Sequence, residues 1–162
     1  MSGEAALKIA ATLALGAALA GLAGSAAARD ISKDGLTVQD VVAWLQDKGM
    51  KADVKTADDG TKYVDTALDG VGFQVYQYDC NGDRCGSLQF AAGFTTKGAW
   101  GPGTLNDWNR ANRWGRAYSD KVNDPWVEMD CDLTPGGTWE ELDDEFATWR
   151  TTFRHFRDYI HW

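Results

Sequence analysis

Positive charge, histidine and cysteine are all scarce in this chain of 162 residues. Lys and Arg number 16 against 24 Asp and Glu, so the net charge is −8. A domain with that balance is repelled by phosphate backbones and anionic lipid, which excludes nucleic acid as an expected partner. The two histidines, His155 and His161, both lie near the C-terminus. At a helix end they suit the helix dipole, and no further ligands are suggested beside them, so no metal and no cofactor are expected. The sequence has no Gly-x-Ser-x-Gly, P-loop or dinucleotide fingerprint. Asp143 and Asp144 are adjacent and point apart on a helix, which removes them as a catalytic carboxylate pair. The chain is therefore read as a non-enzyme with no catalytic residues.

Long apolar runs are also missing, with one exception. Lys8 precedes Ile9–Leu22, built of Ala, Leu, Ile, Thr and Gly, and Ser25-Ala26-Ala27-Ala28 leads into Arg29-Asp30. This is the pattern of a secretory signal over residues 1–28, cleaved near Ala27 or Ala28. It is short and Ala-rich for a spanning helix, so no stable membrane insertion is expected after cleavage. The competing reading is an uncleaved anchor. The location expected is periplasmic or extracellular.

What is abundant is aromatic: eight Trp, five Tyr and six Phe. The periodicity places these in a folded domain. Thr37 and Asp40 resemble a capping box, and Val38, Val41, Val42 and Leu45 recur at helical spacing, which predicts a helix over Val38–Lys48. Gly49 stands where a C-cap belongs. Short strands follow at Ala52–Thr56 and Lys62–Thr66 around an Asp-Gly turn. Gly72–Cys80 and Cys85–Phe94 alternate in hydrophobicity about a tight Asn81–Arg84 loop. Gly98–Gly103 is a loop carrying Trp100. Thr104 is expected to cap a helix over Leu105–Trp114 that Gly115 ends. Arg116–Ser119 and Trp126–Leu133 read as strands. Thr138 and Glu141 form a second capping box, and Trp139, Leu142, Phe146, Trp149, Phe153, Phe156 and Ile160 then step by three and four. That stripe is read as packing on a sheet, with a homodimer or partner seam as the competing reading. The expected fold is α+β: a twisted antiparallel sheet of five to six strands with three helices packed on it, in the order αββββαββα.

Two stretches carry a resemblance. One is Phe73-Gln-Val-Tyr-Gln-Tyr-Asp-Cys80, then Cys85-Gly-Ser-Leu-Gln-Phe90 with Gly93-Phe94. The other is Leu105-Asn106-Asp-Trp108-Asn109-Arg110, then Arg113-Trp-Gly-Arg-Ala-Tyr118, followed by Glu128-Met-Asp130. Together they resemble the YbjN-domain family, whose members are described as bacterial sensory transduction regulators. The resemblance spans roughly residues 36–162. It implies a fold similar to type III secretion chaperones and a binding or regulatory role without enzymatic activity. It departs from the family's exported members, which carry a Cys pair like Cys80 and Cys85, in adding Cys131 and many Trp.

If the strands bearing Cys80 and Cys85 pair, the two residues face each other at about 5.5 Å, suited to a disulfide in an exported protein. A catalytic redox pair is disfavoured, because the spacing is not Cys-x-x-Cys. Cys131 is left over and is expected to be a buried free thiol. Asp79-x-Asn81-x-Asp83 imitates the start of a calcium loop but lacks Gly at its sixth position and Glu at its twelfth. Asn106, Asn109, Arg110 and Arg113 share one side of a helix by spacing. They either hydrogen-bond the neighbouring strand or form a recognition surface with Trp100 and Trp114. The functional expectation is an exported domain that binds an unidentified envelope or extracellular protein. The alternative is a small-ligand or glycan module that stacks sugars on Trp100, Trp108 and Trp114.

Overall fold

The computed structural model describes residues 28–97 and 100–162; the expected leader, residues 1–28, lies outside them except for its last residue. The chain enters as a lead-in tied to the start of the last helix: Ile31 N–H donates to the Gly137 carbonyl (2.9 Å) and Trp139 N–H to the Arg29 carbonyl (2.9 Å). A two-residue strand, β1 (Leu36–Thr37), follows and pairs with the central strand, an element the sequence pattern was too short to reveal. Thr37 then caps α1 (Val38–Asp47) through the expected reciprocal box with Asp40. The helix stops at Lys48, and Gly49 with φ 76° makes the left-handed exit.

Next come β2 (Ala52–Thr56), β3 (Lys62–Leu68), β4 (Val71–Asn81) and β5 (Arg84–Gly93), joined antiparallel as the successive pairs β2–β3, β3–β4 and β4–β5. Helix α2 spans Pro102–Ala111. Its N-cap is Gly101 with Pro102 in the first turn, and it ends at Asn112. Both ends correct the expectation of Thr104 as cap and Trp114 as last residue: Pro102 is preorganised for a first helical turn, and Asn112 leaves the helix in extended backbone. The strands β6 (Arg116–Ser119) and β7 (Pro125–Asp132) form a hairpin, and α3 (Trp139–Tyr159) closes the chain behind the Thr138–Glu141 capping box.

The strands form one antiparallel sheet in the order β2-β3-β4-β5-β7-β6, with β1 against the end of β5. The hairpin β6–β7 inserts its second strand beside β5, so β7 is interior and β6 forms the edge. The fold class is as expected, α+β with three helices on an antiparallel sheet.

The helices cover one face. Phe73 and Val75 of β4, Leu88, Phe90 and Ala92 of β5, and Val127 and Met129 of β7 point into the core. The apolar stripe of α3 packs on them: Trp149 stacks on Phe90 at 5.7 Å, and Phe146 and Phe153 flank Phe73 at 6.3 and 6.0 Å. Helix α1 joins through Trp44, 5.1 Å from Phe146, and α2 through Trp108, 5.1 Å from Phe156. Each of these buried aromatics contributes about 1.5–3 kcal/mol of transfer free energy. Trp108 is thus a core residue, 1% exposed, and the three-indole sugar platform of the alternative reading is not assembled. Its ring is committed to α3 because α2 has one apolar side, carrying Leu105 and Trp108.

Candidate functional site: the helix-free face of the sheet

Alternation puts every second residue of each strand on the other face, and among the described residues no helix lies over it. Cross-strand register sets the rows. Tyr76, Gln89 and Asp130 stand in one; Gln74, Ala91, Glu128 and Arg116 in the next; Tyr78, Ser87 and Asp132 in a third; and Gly93, Trp126 and Tyr118 in a fourth. Tyr63 leans on Tyr76 with ring centroids 5.2 Å apart. Four tyrosines and a tryptophan therefore share a face with a band of acids.

Glycine makes part of this possible. A Cβ at Gly93 would lie 2.4 Å from the Trp126 ring, so only glycine lets the indole lie flat across β5. Tyr118 then stacks on Trp126 at 6.3 Å with an interplanar angle of 17°.

A polar network crosses the middle. Tyr118 Oη donates to Glu128 Oε1 (2.6 Å), and Arg116 Nη2 donates to Glu128 Oε2 (2.8 Å) while its Nη1 reaches Asp130 Oδ2 (3.3 Å). Gln89 Nε2 donates to Asp130 Oδ1 (2.7 Å), and Tyr78 Oη to Gln89 Oε1 (3.4 Å). Two carboxylates are thereby held by one guanidinium among phenol rings. Tyr76, Tyr78 and Tyr118 all have phenol pKa values raised, first by burial; Glu128 adds to each, through a hydrogen bond to Tyr118 and through its charge near Tyr76 and Tyr78. These phenols stay neutral donors at physiological pH.

The face continues to a rim that the sequence singled out. Trp114, 46% exposed, borders a cleft of about 230 Å³ with Arg116, Glu128 and Asp130, and the Arg113 guanidinium lies 4.7 Å over its ring. Tyr78, Trp114 and Tyr118 are three of the five exposed large hydrophobic residues among those described, and all three adjoin this acid network.

The remaining residues of the expected recognition surface go elsewhere. Asn109 turns to the sheet edge: its Nδ2 donates to the Ala117 carbonyl (2.9 Å) and its Oδ1 accepts from Ala117 N–H (2.7 Å). Asn112 donates to the Trp108 carbonyl at the end of α2 (2.8 Å). Asn106 and Arg110 stay exposed on α2, where Arg110 pairs with Asp107. Arg113 lies beyond the helix end, so it does not share a helical side with the other three, and this corrects the expected spacing. Trp100 packs against Tyr159 at 5.6 Å.

Cys80 and Cys85 are joined in a disulfide, directly opposite each other beside the two-residue turn of β4 and β5. Their Cα atoms are 3.8 Å apart, closer than the 5.5 Å of a hydrogen-bonded strand pair. Cys131 is free and buried on the core face of β7.

The sheet-face cluster was only half legible. The outward phase of the strands shows Tyr76 with Tyr78, and Glu128 with Asp130 and Asp132. Nothing in the sequence says that β7 lies one strand from β4.

No curated protein matches the chain. The sequence profile of a family described as "YbjN: Putative bacterial sensory transduction regulator" matches residues 37–162. That span runs from β1 to the C-terminus, taking in both cysteines of the disulfide and every residue of the sheet-face network, and the chain belongs to the YbjN family.

Proposed function

We propose that this chain is an exported, non-enzymatic regulatory domain that works by binding a protein in the envelope or outside the cell. The helix-free sheet face carries this reading. Its exposed rings, Tyr78 and Tyr118, with Trp114 at the rim between this face and α3, stand around hydrogen-bonded polar groups, which is the composition of a binding hot spot. Its polar groups bond to one another in a way that fixes side-chain positions before a partner arrives, which lowers the entropy cost of association. The family description as a regulator agrees with a binding role. The leader pattern and a disulfide between Cys80 and Cys85 support an oxidising compartment.

Site-specific photocrosslinking tests the binding reading. A benzoylphenylalanine at Tyr78 or Tyr118, in cells producing the protein, is expected to give a discrete protein adduct. The same group at Arg150, exposed on α3, gives none. No adduct at either sheet position, or an equal yield at Arg150, would overturn the assignment. Mass spectrometry of the mature N-terminus tests export: a start near Arg29 is expected, and an intact Met1 rules cleavage out.

A further inference from the structure

We infer that the helix-free sheet face is a docking surface for a cationic, arginine- or lysine-rich protein segment. This rests on the protein-binding reading above and adds the partner's chemistry. The argument is charge complementarity. The residues in register on this face include five carboxylates, Asp53, Asp65, Glu128, Asp130 and Asp132, against two cations, Lys55 and Arg116; Lys51, just ahead of β2, adds a third by pairing with Asp53 (3.1 Å), which leaves Asp65 and Asp132 without an ion-pair partner among the described residues. A second copy presenting the same face would bring like charges together, and an anionic membrane or nucleic acid would be repelled.

The face also shows how it would hold a guanidinium. Arg116, its side chain 60% exposed, lies between Glu128 and Asp130 with three hydrogen bonds, beside the neutral ring of Tyr118. Asp132, in the row of Tyr78, has no counterpart to Arg116: among the described residues no cation lies within ion-pair distance of it. Tyr78 is 49% exposed, so its ring can lie under an incoming cation while Asp132 neutralises it. Sugar stacking is less well served, because Tyr118 and Trp126 stack on each other and Tyr63 leans on Tyr76.

The test uses the intact, disulfide-bonded protein and fluorescence anisotropy with labelled deca-arginine, deca-glutamate and cellohexaose. Binding of deca-arginine alone is expected, weakening as salt rises. The Asp130→Asn/Asp132→Asn double variant is expected to lose about tenfold in affinity, whereas Asp144→Asn/Asp158→Asn, which removes the same charge from α3, loses about twofold or less. Tyr78→Ala, a change at an exposed ring that leaves the carboxylates in place, is expected to lose roughly threefold. Equal losses in the two double variants would reduce the effect to diffuse charge and overturn the proposal. So would absence of deca-arginine binding, full affinity in Tyr78→Ala, or tighter binding of cellohexaose. If crosslinked adducts form at Tyr78 while deca-arginine fails to bind, the cationic partner is wrong and protein binding stands; if both fail, the functional reading falls as well.

Discussion

Cys131 shows how one side chain is silenced by its surroundings. Burial pushes its thiol up to about 12, with Glu145, Asp132 and Glu141 adding negative charge nearby. The thiolate is the reactive species, so the native thiol is expected to react with Ellman's reagent at least about a hundredfold more slowly than in denaturant. Comparable rates in the two states would show that the residue is accessible. Gly93 is the opposite case, a residue whose lack of a side chain is used. Gly93→Ala forces Trp126 off β5 and is expected to cost about 1–3 kcal/mol in urea unfolding, with a changed near-ultraviolet circular dichroism from the Tyr118–Trp126 pair. Unchanged stability and spectrum would mean that the indole does not rest on that glycine.

At the scale of elements, the edge of the sheet is closed by a side chain rather than by another strand. Asn109 bonds both backbone groups of Ala117 on β6, imitating the neighbour that an edge strand lacks. Asn109→Ala is therefore expected to destabilise by roughly 1–3 kcal/mol and to increase concentration-dependent association, seen by light scattering. A variant as stable and as monodisperse as the parent would refute that role. The Asn-rich helix was conspicuous in the sequence, and bonding to the Arg116–Ser119 strand was one of its two readings. The choice depended on where α2 ends: Asn112 exits into extended backbone, which takes Arg113 off the helix and sets it on Trp114. Both capping boxes and the alternating strands were legible because their signals are local. The place of β7 beside β5 was not, because antiparallel pairing across α2 is a long-range choice made by the core. The tyrosine and acid face was hidden for the same reason.

At the scale of the whole molecule, α3 provides most of the cover on the core face, and two carboxylates pin it at opposite ends. Near its start, Asp143 accepts from the buried Trp44 indole of α1 (2.7 Å) and pairs with Lys48. Towards its end, Arg154 Nε donates to Asp69 in the β3–β4 turn (2.6 Å). The Asp69 pKa is lowered chiefly by its hydrogen bond to Arg154. For Asp143, burial is the largest influence and acts upward, but the combined hydrogen bonds from Lys48 and Trp44 and the charge of Lys48 outweigh it, so its pKa too is lowered. A carboxyl whose folded pKa lies below its unfolded value of about 3.9 stabilises fully above that value and loses the contribution as pH falls through the folded one. Both contributions to holding α3 are thus lost in acid. Asp69→Asn/Asp143→Asn is expected to be less stable than the parent at neutral pH. The gap should persist down to about pH 5 and close progressively below about pH 4 as the parent's own carboxylates protonate. Urea unfolding across that range measures it, and a gap that stays constant into acid would show that the two ion pairs do not contribute through their charge.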